Sequence, residues 1–211
     1  MIKFNFVRPR ASASKAARPQ ARKRHVPCAR DTARLRSLRK EKLDSKLQGL
    51  LQLAECVLQH KDEMRAIISV MVRAAIESFL GARRNTNTTE YKFLSAQDTD
   101  SARYLLEIYK VGLERPAPPR VTDQNRQCVL RQEKTNSRLE GIVRLADVLS
   151  AHGSDMCGTL KTGLDKCLET LMGSRRNSRT VEYICLLKYD VAGTRYAREM
   201  YEARMPQHQN N

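Results

Sequence analysis

The chain has 211 residues, of which 41% are hydrophobic and 5% aromatic, with no Trp. Any core must come from Leu, Ile, Val, Met and Ala, which suits packed helices and argues against a β-sandwich. The net charge is +16, and no run approaches the roughly 18 apolar residues that span a bilayer. A soluble protein without a membrane partner is therefore expected.

The charge is concentrated at the N-terminus. Residues 1–40 hold 13 Lys and Arg and one acid, Asp31, whereas residues 41–211 hold 26 bases and 22 acids. A block of like charge predicts a disordered basic arm over 1–34 with a polyanionic partner. Pro9, Pro19 and Pro27 interrupt any long helix there. The densest part, RPQARKRH, brings Arg18, Arg22, Lys23 and Arg24 together as phosphate-neutralising candidates. ARKR also resembles a nuclear import signal. The Arg-rich, acid-poor composition further leaves an organellar transit peptide open, although the prolines oppose its amphipathic helix. Nucleus or cytoplasm is the expected location, with organellar import not excluded.

Beyond the arm the chain repeats itself. GARRNTNTTEY (81–91) returns as GSRRNSRTVEY (173–183), and the same shift aligns residues 42–60 with 134–152 and 98–109 with 190–201. Roughly a third of aligned positions are identical, which points to two copies of one structural unit. The predicted organisation is repeat 1 over 35–110, a Pro-rich linker over 111–125, repeat 2 over 126–203 and a polar tail over 204–211. Pro116, Pro118 and Pro119 mark the joint, while 28–115 and 120–205 lack proline. The copies form either two similar subdomains or one pseudo-symmetric bundle.

Each repeat reads as about four helices, giving an all-α fold. Leu47, Leu50, Leu51, Ala54, Val57 and Leu58 form the stripe of the first helix, matched by Leu139, Ile142, Val143, Ala146 and Leu149. The second helix carries Met64, Ile67, Ile68, Met71, Ala75, Phe79 and Leu80. Its counterpart carries Met156, Leu160, Leu164, Cys167, Leu168, Leu171 and Met172. Gly81 and Gly173 stop these helices. Short third helices are predicted over Glu90–Ser95 and Glu182–Lys188. Fourth helices follow, with Asp98 and Asp190 as N-caps, and end near Tyr109 and Tyr201.

The retained residues nominate a site. Arg83, Arg84 and Asn85 recur as Arg175, Arg176 and Asn177, with Arg179 nearby. Cations after a helix end can complement its dipole, or the twin loops can contact phosphates. Glu90-Tyr91, Arg103-Tyr104 and Tyr109 recur as Glu182-Tyr183, Arg195-Tyr196 and Tyr201; packing is favoured over base stacking. His60 and His152 end the first helices as dipole partners. The six cysteines show no CxxC or zinc-finger spacing, and none has a cysteine at its equivalent position. Cys56 faces Val148, Cys167 faces Ala75 and Cys185 faces Phe93, so they read as small hydrophobes in a reducing compartment. No catalytic motif is present. No catalytic residue, metal, cofactor or small-molecule substrate is assigned.

The expected function is non-enzymatic nucleic-acid binding, RNA over DNA, in packaging, in a ribonucleoprotein or in duplex-RNA sequestration by a small viral protein. The alternative is a helical protein–protein or homo-oligomerisation module whose arm serves only for targeting.

Overall fold

A computed structural model of the protein describes residues 29–82, 84–113 and 124–206. Eight helices and no strand occur among them: α1 (Ala29–Gln59), α2 (Ala66–Leu80), α3 (Thr89–Ser95), α4 (Asp100–Leu113), α5 (Gln124–His152), α6 (Gly158–Met172), α7 (Val181–Lys188) and α8 (Ala192–Glu202). The fold is all-α, with four helices per repeat. None of the described helices is long and apolar enough to cross a membrane.

Several boundaries differ from expectation. Residues 29–34, assigned to the arm, are the first turns of α1, because the last proline of the arm is Pro27 and the sequence beyond it favours helix. The helices α4 and α5 likewise take residues 111–113 and 124–125 from the linker. The remainder of the arm (1–28), the linker core (114–123) and residues 207–211 lie outside the described residues. Residues Met1–Arg36 form one unit, described only over the start of α1, and Ser37–Asn211 form a second.

Within the second unit the two repeats exchange their long helices. The helix α5 packs chiefly on α2 of the other repeat and on α8 of its own. Ser137 on α5 donates to the carbonyl of Ser78 on α2. The equivalent Ser45 on α1 donates to the carbonyl of Thr170 on α6 at 2.5 Å. Close approach repeats at the same level. A Cβ on Gly49 would lie 2.7 Å from Leu171 Cγ, and one on Gly141 would lie 3.0 Å from the Phe79 ring. Leu171 and Phe79 are themselves equivalent, so each long helix presents a glycine to a large side chain of the other repeat.

This exchange explains the core. Leu53, Leu145, Cys56 and Val148 are buried beyond the predicted stripes, because α1 and α5 are covered on more than one face. On α2 the buried face runs through Ile68, Val72, Ala75, Ile76 and Phe79. Ile67, expected inside, is 66% exposed. Leu58, also expected inside, is on the exposed edge of α1.

Helix ends follow local chemistry. Gly81 and Gly173 adopt φ of 85° and 87° with extended ψ, a region essentially restricted to glycine, and each N–H returns to the carbonyl four residues back. Thr88 and Thr180 cap α3 and α7 by accepting from Tyr91 N and Tyr183 N. Asp98 and Asp190 are not caps. The cap before α4 is Thr99, which accepts from Ala102 N. The α8 start is tied by Thr194 Oγ1, which accepts from Val191 N at 3.1 Å. The two aspartates instead pair with Arg103 and Arg195, each at 2.7 Å.

Candidate nucleic-acid interface

The basic character of the arm continues into α1. Residues 29–42 carry six Lys and Arg against two acids. Arg34 and Arg36, at the start of the helix, are exposed, as are Arg39 and Lys40 a turn further on. An exposed helical cation keeps its donors in water and can exchange them for phosphate oxygens at little desolvation cost. Arg18, Arg22, Lys23 and Arg24 lie outside the described residues.

The twin loops divide into two roles. Arg84 and Arg176 turn inward. Arg84 Nε donates to Gly81 O at 3.0 Å and its Nη1 donates to Ile108 O, in the C-terminal half of α4. Arg176 repeats both bonds, to Gly173 O at 3.2 Å and Met200 O at 2.5 Å, and adds Glu169 O at 3.3 Å. Their guanidinium carbons lie 5.5 and 5.2 Å from the ring centres of Tyr109 and Tyr201, within cation–π range. Both arginines join the C-terminal carbonyls of neighbouring helices, where a cation also complements the dipole. The helix-end reading describes them, and phosphate contact does not. Burial pushes the Arg176 guanidinium down from its ordinary value.

Asn85 and Asn177 are also architectural. Their Oδ1 atoms accept from Asn87 N and Arg179 N, each at 2.9 Å, which closes an Asx turn before the next helix. Arg175 and Arg179 face solvent. Arg175 makes a long, exposed pair with Glu41 at 3.6 Å, of the kind worth little. Arg83 lies outside the described residues. Of the loop arginines described, Arg175 and Arg179 are the exposed ones.

The tyrosines pack. Tyr109 and Tyr201 are buried, and their hydroxyls meet Thr88 Oγ1 and Thr180 Oγ1 at 2.6 and 2.5 Å. Tyr91 and Tyr183 lie over them, with ring centroids 5.6 and 5.5 Å apart. Burial pushes the Tyr196 phenol up, and the hydrogen bond its hydroxyl donates to Asp165 adds to the effect. Tyr109 and Tyr201 are thus closed to a base.

The retained glutamates have a role that the pattern alone did not reveal. Glu90 and Glu182 are buried, each between a cation of its own repeat and one of the other. Glu90 meets Lys46 at 3.5 Å and Lys134 at 2.5 Å. Glu182 meets Arg138 and, at 2.6 Å, Lys42. Burial drives Glu90 upward, but the Lys134 hydrogen bond and the charges of Lys46 and Lys134 outweigh it and leave the carboxyl below its ordinary value. Burial brings Lys46 down to about 8 despite its glutamate. Four cations and two carboxylates therefore interlock the repeats. The signal that could have found them is the pairing of retained acids with retained bases at 42/134 and 46/138.

Cys56 and Cys167 fill the core as expected, and burial pushes their thiols up to about 11 and about 12. Cys128 and Cys157 are exposed and do not fit the apolar-filler reading.

No protein-family model matches the chain, and no curated protein or solved structure matches it.

Proposed function

We propose that the protein is a non-enzymatic nucleic-acid-binding protein, with RNA favoured over DNA. The observation that supports this reading is the segregation of charge: 13 bases against one acid over residues 1–40, with Arg34, Arg36, Arg39 and Lys40 exposed on helix. Phosphate neutralisation releases condensed counterions and gives affinity with little sequence preference. Helical presentation of cations to backbone phosphates suits recognition by shape. Arg175 and Arg179 are further exposed candidates; Arg84 and Arg176 are engaged by backbone carbonyls.

The test is binding of labelled duplex RNA, single-stranded RNA and duplex DNA at two salt concentrations by the full chain. Two variants accompany it, Arg34/Arg36/Arg39/Lys40→Gln and Arg175/Arg179→Gln. The helix variant is expected to bind more weakly and to lose about three to four from the salt slope, near 0.9 for each phosphate contact on a duplex. Wild-type chain that binds none of the three probes at low salt rejects the reading.

A second reading, a helical interaction module, is favoured by one observation. Val181, Ile184 and Leu187 on α7 are each more than half exposed at a spacing of three. Association that persists as salt rises would support it.

A further inference from the structure

The turn joining α1 to α2 and the turn joining α5 to α6 are equivalent positions of the two repeats, yet their chemistry differs. In the first, His60 Nδ1 lies 3.1 Å from Glu63 Oε2. Cys157, from the second turn, donates its thiol to the same oxygen at 3.1 Å. The three donor atoms all lie within 4.8 Å of one another. The corresponding place across the repeat holds Arg65 in the position of Cys157 and Asp155 in that of Glu63, paired at 3.6 Å. His152 stands where His60 does, so both ends carry an imidazole and a carboxylate, and one end adds a guanidinium where the other adds a thiol that converges with them.

We propose that His60, Glu63 and Cys157 form a site for a divalent transition-metal ion, zinc foremost. Tetrahedral zinc, with bonds of about 2.0–2.3 Å, sets its ligand atoms roughly 3.3–3.8 Å apart. Two of the three separations here are already 3.1 Å, and the side chains involved need move only slightly. One thiolate and one carboxylate balance the dication, with the imidazole neutral. Sulfur and nitrogen donors select zinc over magnesium or calcium, which prefer oxygen. Glu63 and Cys157 are exposed, so the ion enters from solvent and a water completes the fourth position. Binding exchanges the Cys157 thiol proton for the metal, and that proton leaves to solvent. The ion would clip the end of α1 in repeat 1 to the N-cap of α6 in repeat 2. The site escaped the sequence because its third ligand lies 94 positions from its second.

The experiment is titration of the reduced full-length chain with Co²⁺ and with Zn²⁺. It follows thiolate-to-cobalt charge-transfer absorption, the heat of zinc binding and the melting temperature. One ion per chain is expected, with a melting temperature raised by roughly 5–10 °C at a hundredfold excess over Kd. The charge-transfer band should vanish in Cys157→Ser. Zinc affinity should fall at least about tenfold in His60→Ala and Glu63→Ala. His152→Ala and Cys128→Ser should behave as wild type. All of these residues are at the surface or its edge, and far-UV circular dichroism checks that each variant folds. A band that persists in Cys157→Ser, or wild-type chain that takes up no cobalt and shows no thermal shift with zinc, overturns the proposal.

Discussion

Lys46 is buried to within 4% of full cover and meets one carboxylate, with Lys134 and Arg138 close enough to oppose its charge. Its folded value near 8 lies below the roughly 10.4 of an unfolded lysine. Between those values the unfolded chain holds more protons, so this group makes stability rise with pH. Cys56 and Cys167 act in the other direction. Their folded values lie above the ordinary thiol value, so the stability they contribute is lost as pH rises past about 9. The melting temperature is therefore expected to climb by about 2–4 °C from pH 7 to near pH 9 and to decline above it. Burial also brings Lys42 down to about 8, so it adds to the climb. Replacing Lys46 with Met should reduce the climb without abolishing it, because Lys42 remains and Glu90 keeps Lys134. A thermal-melt series across this range decides, and a climb undiminished in Lys46→Met would exclude Lys46 as one of its sources. The recurrence of Lys46, Glu90, Arg84 and Arg176 was legible in the duplicated sequence. Their roles were not, because a repeat shows which residues recur and not what they touch. The carbonyls of Ile108 and Met200, which hold Arg84 and Arg176 against a second helix, lie 24 positions downstream.

Helices were the most legible elements. Local signals placed the stops at Gly81 and Gly173 and located the short α3 and α7. The phase of α2 was less legible. Ile67 belongs to an apolar run in which either side could face inward, and only the exchanged α5 decides which does. Cap assignment failed at Asp98 and Asp190 because an aspartate before a helix can cap it or hold an arginine, and here each holds one. The glycine stops permit a clean test of backbone conformation. A Cβ on Gly173 would meet nothing within 4 Å, so Gly173→Ala adds no collision and imposes only a positive φ on a side-chain-bearing residue. A loss of about 1–3 kcal/mol is expected in denaturant unfolding. Unchanged stability would mean that the chain can end α6 in another way.

At the scale of residues 37–211, the sequence left open whether the repeats stand apart or form one bundle. The reciprocal contacts Ser45–Thr170 and Ser137–Ser78, and the crossed pairs Lys42–Glu182 and Lys134–Glu90, join them. Nothing in a linear pattern distinguishes a helix packed on its own repeat from one packed on its neighbour, since the partner surfaces are near copies. A protease site placed between residues 113 and 124 tests the interlock. The cleaved chain should elute from a sizing column with the uncut chain at micromolar concentration, and halves that separate there would contradict it.

Exchanged equivalent helices have a further meaning. Two identical half-chains with these surfaces could assemble as a swapped homodimer, each closing the other's core. Joining them end to end makes that assembly intramolecular and independent of dilution. It also lifts a constraint on inheritance. In a homodimer every substitution is written twice, at both symmetric places, and a change useful at one end must be tolerated at the other. Within one chain the two ends can drift apart, as they have where Cys157 faces His60 and Glu63 while Arg65 pairs with Asp155.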